Sequence, residues 1–175
     1  MQPTAETFQF LIRHEGIRRT SYTDSRGRFS IGAGHKLTDL SMIEAIGKGF
    51  ELQITETFAG ALLDVDVSTA IAIARAIWPA FEEYEPARQT ALISICFQLG
   101  DISDPGPNNF QRLIHFTKAR DWAATAEELL WTNGTAKGQH TPYYQQCQAR
   151  AQETSMMLAS GRFQENEEPN NDQSA

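Results

Sequence analysis

The apolar positions of this chain follow a mainly helical period, interrupted by one extended region near the N-terminus. Residues 4–14 have helical spacing, and Thr4 stands at the capping position. The longest helical pattern extends from about residue 55 to residue 77 and stops before Pro79. Further helices are predicted at residues 41–47, 86–99, 109–119, 121–130 and 142–159. The pattern therefore predicts a fold that consists mostly of helices.

The extended region lies between Arg18 and Gly34. Its apolar positions are separated by residues 24–27 (DSRG), a composition that is typical of a tight turn and predicts a β-hairpin. The fold class that follows is α+β, mainly α, with a short antiparallel sheet. The next helix is predicted to begin at Ser41, because Ser41 and Glu44 have the spacing of a capping box.

Composition and charge narrow the classes of function. The 175 residues include 41% hydrophobic ones, enough for the core of one domain, and the net charge of −7 argues against nucleic-acid binding. Four of the acidic residues lie in residues 164–175, where there is no Lys or Arg, so the net charge of the rest is −3 once these four are removed. We expect this acidic tail to be disordered.

The sequence predicts no metal site and no cofactor. The four histidines are scattered, and residues 32–34 (GAG) lack the third glycine of a nucleotide-binding loop. Two cysteines, Cys96 and Cys147, do not make a disulfide framework, and we expect both to be reduced. We also expect neither a signal peptide nor a membrane span, so that the protein is made in the cytoplasm.

Three candidate chemical groups lie close together in the sequence: Glu15, Asp24 and Ser30. A carboxyl at the end of an apolar helix tends to keep its proton, whereas one in a turn beside an arginine tends to stay ionised. Such an acid and base are what hydrolysis of a glycosidic bond requires, and a hydroxyl could hold a water between them. On spacing alone, however, a purely structural interpretation is stronger than a catalytic one. In that interpretation Glu15 is a charge at a helix end, Asp24 forms a turn and Ser30 is an ordinary strand residue.

Five arginines surround these candidates. They could attract an anionic polymer by its carboxylates, or they could be solvated surface charges, and the sequence leaves the two readings about even. They are Arg13, Arg18, Arg19, Arg26 and Arg28.

A longer sequence motif contains these three residues and supports a functional interpretation that their spacing alone does not. Residues 15–35 read E-G-x(7)-D-x(5)-S-I-G-x-G-H, which resembles the active-site region of phage-type lysozymes, the endolysins of glycoside hydrolase family 24 type. The resemblance covers about residues 5–163. Later segments resemble the same family in the same order: Leu63–Asp66, Arg88–Ala91, Cys96–Gly100, Asn109–Phe110 and Asp121–Ala124.

This resemblance implies a lysozyme-like architecture in a single domain, residues 1–163. An N-terminal lobe with the sheet would span about residues 1–55, and a connecting helix residues 55–78. A helical lobe would follow at residues 79–163, with the 4–14 helix packed on it.

The resemblance also implies roles for individual residues. Glu15 would be the catalytic acid, Asp24 the second carboxylate, and Ser30 the holder of a water, although the better-known family pattern has threonine at that position. Substrate-binding positions would be Phe97, Gln98 and Arg150, with Arg150 approaching Glu15. His35 and Asp64 would form a structural ion pair.

The function that the resemblance implies is a muramidase for host cell lysis. Its partner would be the peptidoglycan glycan strand, which it would reach in the periplasm through a holin-type pore, and we expect a monomer without stable membrane insertion. Three alternatives stay open: a virion-associated or secretion-system-delivered effector lysozyme, a catalytically silent peptidoglycan-binding module, and an interaction protein that recruits a partner through its acidic tail.

Overall fold

The computed structural model describes residues 3–24, 27–103, 110–132 and 138–164. The fold is α+β and mainly helical, as predicted. Three strands form the sheet: β1 (Arg18–Thr23), β2 (Phe29–Gly32) and β3 (His35–Lys36). The helices are α1 (Ala5–Glu15), α2 (Leu40–Gly47), α3 (Glu56–Ile77), α4 (Pro86–Leu99), α5 (Gln111–Lys118), α6 (Trp122–Leu130), α7 (Pro142–Gln146) and α8 (Gln148–Ser160), with a short 3₁₀ turn at Phe81–Glu83.

The chain divides into two compact units. The first comprises Met1–Glu82 and Leu92–Ile102, and the second comprises Glu83–Ala91 and Ser103–Ala175. Helix α3 therefore lies wholly in the first unit, together with α1 and the sheet, whereas α4 contributes its first turns to the second unit and the rest to the first. The lobe boundaries and the single domain of the sequence analysis stay predictions, and the acidic tail from residue 165 onward lies outside the described residues.

In the first unit, the sheet is antiparallel with the strand order β1-β2-β3. Its register is irregular between Arg18 and Tyr22, where β1 turns its backbone groups toward another segment. There the Ser21 amide donates to the Leu52 carbonyl at 2.9 Å, and the Ile54 amide donates to the Arg19 carbonyl at 2.8 Å. This second partner satisfies the backbone of the irregular stretch, which would otherwise lose its ladder bonds.

Helix α3 supplies the core on which the sheet packs. Thr55 caps its N-terminus by accepting a hydrogen bond from the Phe58 amide at 3.2 Å. Its apolar side chains at helical spacing are buried, among them Leu63, Val67 and Ile71. By length and composition α3 could also cross a membrane, a property that the core helix of a folded domain shares.

The start of helix α2 differs from the prediction. The cap is Asp39, whose carboxylate accepts from the Met42 amide at 2.8 Å, and Ser41 lies inside the helix, where its hydroxyl donates to the same carboxylate. An aspartate and a serine two residues apart both suit the capping position. The predicted capping box at Ser41 is therefore wrong by two residues, because the helix already begins after Asp39, which caps the Met42 amide, whereas a cap at Ser41 would have accepted from the Glu44 amide.

In the second unit, α6 packs on α8, α5 and α7. The helix predicted as one piece at 142–159 is interrupted at Cys147, whose φ of −143° and ψ of 53° are not helical. The Cys147 thiol donates to the Tyr143 carbonyl at 3.0 Å, a contact that occupies the last turn of α7. Helix α8 then ends as predicted at Gly161, in the left-handed region with φ 70°.

Candidate active site

Glu15 is the last residue of helix α1. The helix ends there because Gly16, with φ 68°, turns the chain while its amide still donates to the Ile12 carbonyl at 2.9 Å. Phe10 and Leu11 of the same helix are buried, which anchors this end, and Glu15 itself is half-buried. A carboxyl group is therefore fixed in place three residues before β1 begins.

Asp24 follows β1 and is held by Arg28 across the turn. One carboxylate oxygen accepts from the Arg28 amide at 2.9 Å, and the other accepts from the Arg28 Nε and Nη2 at 3.1 and 2.9 Å. The backbone closes the same turn, since the Asp24 amide donates to the Arg28 carbonyl at 2.8 Å. Both oxygens act as acceptors, which is the arrangement of an ionised carboxylate with a fixed orientation.

Ser30 lies in the central strand β2 and is 1% exposed. Its cross-strand neighbours are Tyr22 in β1 and Lys36 in β3. Residues paired in this way project from the same face of a sheet. One face of the sheet thus presents a phenol, a hydroxyl and an ammonium group in a row.

Tyr22, one of the apolar positions of the predicted hairpin, is a functional candidate that the sequence did not single out. Burial raises the pKa of the Tyr22 phenol, Arg18 opposes the rise, and the carboxylates of Glu15 and Asp24 add to it. The guanidinium carbon of Arg18 lies 4.4 Å from the centre of the Tyr22 ring, in a cation–π contact. Both candidate carboxylates therefore act electrostatically on one phenol, a convergence that sequence separation alone does not reveal.

Within the first unit, a cavity of about 260 Å³ is lined by parts of β3, α3 and α4. Three residues that the resemblance marked as functional lie along it: His35, Phe97 and Gln98. Lys36 and Asp66 line the same cavity. The structure thus brings the predicted substrate-binding pair of α4 together with β3.

The predicted ion pair between His35 and Asp64 is wrong. The Nδ1 of His35 lies 3.0 Å from both carboxylate oxygens of Asp66. Helix phase explains the difference, since residues two apart on a helix point in nearly opposite directions. Asp66 is half-buried on the side that faces β3, and Asp64 is exposed.

The remaining predicted site residues, Arg150 and those of the five arginines that the structure describes, do not line this cavity. Arg150 is 4% exposed on α8, in the second unit, so its approach to Glu15 stays a prediction. Among the five arginines, Arg28 pairs with Asp24, Arg18 lies over Tyr22, and Arg13 lies over Phe10 at 5.7 Å. Arg26 lies outside the described residues.

No group of three or more His, Cys, Asp or Glu within the described ranges could hold a metal ion. The chemistry that these residues can supply is proton transfer and charge stabilisation. A helix-end glutamate, an aspartate held by arginine and a buried serine hydroxyl are groups that a hydrolase of glycosidic bonds can use.

Comparison with known protein families gives the same class. The family model described as phage lysozyme matches residues 12–153, which is most of the chain. The chain belongs to the phage lysozyme family, and the resemblance identified from the motif at residues 15–35 is confirmed. Membership implies a lysozyme-type glycoside hydrolase activity.

Proposed function

We propose that this protein is a muramidase that hydrolyses the β-1,4 bond between N-acetylmuramic acid and N-acetylglucosamine in bacterial peptidoglycan. The family match over residues 12–153 carries the proposal, because it includes Glu15, Asp24 and Ser30 together with the strands and turn that hold them. The three groups belong to one compact unit.

In the proposed mechanism, Glu15 protonates the oxygen of the leaving sugar. Asp24 stabilises the positive charge that develops on the other sugar, and helps to activate or replace the attacking water. The three N–H donors of Arg28 support this role, because they hold the carboxylate in one orientation. Ser30 positions the water, and its burial in the central strand restricts where its hydroxyl can lie.

The family resemblance favours inversion of the anomeric configuration. In that case the carboxyl groups of Glu15 and Asp24 work about 6.5 to 9.5 Å apart, leaving room for a water, rather than about 5 Å apart. Proton NMR of the first product formed from a soluble oligosaccharide tests this point. An initial α-anomer from the β-linked substrate supports inversion, and an initial β-anomer contradicts it.

The decisive experiment measures turbidity clearing of outer-membrane-permeabilised Gram-negative cells. Glu15→Gln removes the proton donor with almost no change of shape, and we expect clearing to fall by about 10²- to 10⁴-fold. A matched control is Glu127→Gln, because Glu127 is an exposed glutamate of α6. Circular dichroism and thermal melts establish that the proteins are equally folded.

The products identify the bond. Borohydride reduction of the released fragments converts new reducing ends to alditols, so a muramidase yields reduced muramic acid and a glucosaminidase yields reduced glucosamine. Reduced muramic acid from the wild type supports the proposal. Clearing that is equal for wild type and Glu15→Gln contradicts the assignment of the acid, and binding of purified wall without hydrolysis favours the silent module.

For the biological role, we propose host cell lysis as an endolysin. The protein would be made in the cytoplasm of the bacterial host and act on the wall in the periplasm, after passing through a pore that another protein forms. Expression in bacteria with and without a pore-forming holin tests this role. Lysis that requires both proteins supports it, and lysis by the enzyme alone contradicts the need for a pore.

A further inference from the structure

Lys36 is a cation in the wall of the 260 Å³ cavity, beside His35 and across from Phe97 and Gln98. It is exposed, and in the part of the chain that the structure describes its ammonium group forms no ion pair. Lys36 is therefore available to a ligand.

The charges around the cavity favour an anionic ligand. Among the twelve lining residues, Asp66 alone is acidic, and His35 Nδ1 already lies 3.0 Å from both of its oxygens. Lys36 is the one Lys or Arg among these twelve residues, and the carboxylate of Asp66 is held by His35 instead of Lys36. A flexible lysine stem keeps the ammonium in water while it reaches toward a bound group.

The position of Lys36 relates this cavity to the proposed chemistry. Lys36 is the cross-strand partner of Ser30, and directly opposed residues in an antiparallel sheet have Cβ atoms about 4.5 to 5.5 Å apart. A group held by Lys36 would thus lie close to the serine proposed to position the water. The volume is below the roughly 300 to 1,000 Å³ of sites that enclose a whole small ligand, which suits one side group of a long polymer.

We propose that Lys36 binds a carboxylate of the glycan strand, so that the cavity selects for anionic wall polymer. The inference rests on the proposed function, since it assumes peptidoglycan as the substrate. Two carboxylates share this chemistry: those of the stem peptide, and the lactyl carboxylate of a muramic acid that has lost its peptide. Lys36 would attract either carboxylate locally, although the protein as a whole carries a net charge of −7.

The experiment compares one soluble glycan preparation before and after its carboxylates are converted to methylamides with methylamine and a carbodiimide. For the wild type we expect kcat/KM to fall about two- to fivefold on the amidated strands, mainly through KM, as an exposed ion pair predicts. Lys36→Met and Lys36→Gln should lose this preference, and Lys36→Arg should keep it. High salt should reduce the preference of the wild type, because it screens exposed charges.

The control is Lys118→Met, an exposed lysine at the end of α5 that should keep the preference of the wild type. Repeating the comparison with strands stripped of peptide by an amidase identifies the source. A preference that disappears there points to the stem peptide, and one that persists points to the lactyl group.

A preference that remains undiminished in both Lys36→Met and Lys36→Gln overturns the inference while muramidase activity stands. Absence of a preference in the wild type, with hydrolysis of both preparations, overturns it as well. If the folded wild type hydrolyses neither preparation, the proposed function fails first and the inference fails with it.

Discussion

The turn after β1 and the contact between β3 and α3 each hold a carboxylate against a basic side chain, yet they are built in different ways. Asp24 and Arg28 are four residues apart in one turn, whereas His35 and Asp66 are 31 residues apart, on a strand and a helix. The two carboxylates are similarly accessible, with 20% of the Asp24 side chain and 27% of the Asp66 side chain exposed. Exposure therefore does not distinguish a proposed catalytic carboxylate from a structural one.

The carboxylates of Asp24 and Asp66 differ in the groups that surround them. Asp24 acts on Tyr22 together with Glu15, so two carboxylates converge on one face of the sheet. Asp66 meets an imidazole and joins a helix to a strand. We infer that loss of the first carboxylate should reduce activity with little effect on stability, and that loss of the second should do the reverse.

The largest expected effect is that of Asp24→Asn on activity. The amide keeps the size of the side chain and removes the charge, and we expect kcat to fall by about 10²- to 10⁴-fold. The free energy of unfolding should change by only about 1 kcal/mol or less, because the ion pair with Arg28 is partly exposed. Turbidity clearing and chemical denaturation measure the two quantities on the same preparation.

Arg28→Met is the matched variant for the turn. It removes the two side-chain donors, Nε and Nη2, and leaves the carboxylate of Asp24 in place. The backbone amide of residue 28 still donates to that carboxylate, so activity should fall less than in Asp24→Asn. Full activity in Asp24→Asn would show that the second carboxylate lies elsewhere.

Ser30 should give an intermediate effect. Ser30→Ala removes one hydroxyl from a buried position, and loss of a hydrogen bond to a positioned water is expected to reduce kcat by about three- to tenfold. Ser30→Thr keeps a hydroxyl, gives the residue of the better-known family pattern, and should keep more activity than Ser30→Ala. Equal activity in the alanine and threonine variants would remove the hydroxyl from the mechanism.

The sequence predicted local features well. The N-cap at Thr4, the turn at residues 24–27 and the end of α8 at Gly161 depend on residues within a few positions of one another, and local side-chain chemistry determines them. Of these, residues 25 and 26 lie outside the described chain. The family motif was recognisable for the same reason, since Glu15, Asp24 and Ser30 lie within sixteen residues.

Long-range features were predicted less well. Pairing of His35 with Asp66 instead of Asp64 depends on the rotation of α3 against the sheet, and two aspartates two residues apart give no local signal that chooses between them. The convergence of charges on Tyr22 needs strand register, which the hairpin sequence leaves open. The sequence pattern did not mark Lys36 as a functional residue, because a strand of two residues is too short to show a periodicity.

A smaller effect, on stability instead of activity, is expected when the contact between β3 and α3 is removed. Asp66→Asn should lower the free energy of unfolding by about 1 kcal/mol, because it removes one charge of a partly buried pair. Asp64→Asn is the matched control two residues away, and its change should stay within about 0.5 kcal/mol. Equal destabilisation by both variants would contradict the assignment of the pair to Asp66.

The smallest effect concerns ionisation of Tyr22, followed by the ultraviolet absorbance of its phenolate. Burial first, and then the carboxylates of Glu15 and Asp24, raise the pKa of this phenol above its ordinary value of 10.0, while Arg18 lowers it. Because the folded pKa lies above the unfolded one, the contribution of Tyr22 to stability is complete below about pH 10 and is lost as the pH rises through the folded pKa. Tyr22→Phe should remove that alkaline loss.

The same titration separates the two carboxylates. Asp24→Asn should lower the pKa of Tyr22 because one negative charge disappears from its surroundings, and Asp66→Asn should leave it nearly unchanged. Tyr84 serves as the internal reference, since burial also raises its pKa but neither Glu15 nor Asp24 contributes. A shift of the Tyr22 pKa in Asp66→Asn as large as that in Asp24→Asn would mean that the two carboxylates act on one connected site, and the division between a catalytic turn and a structural contact would then be wrong.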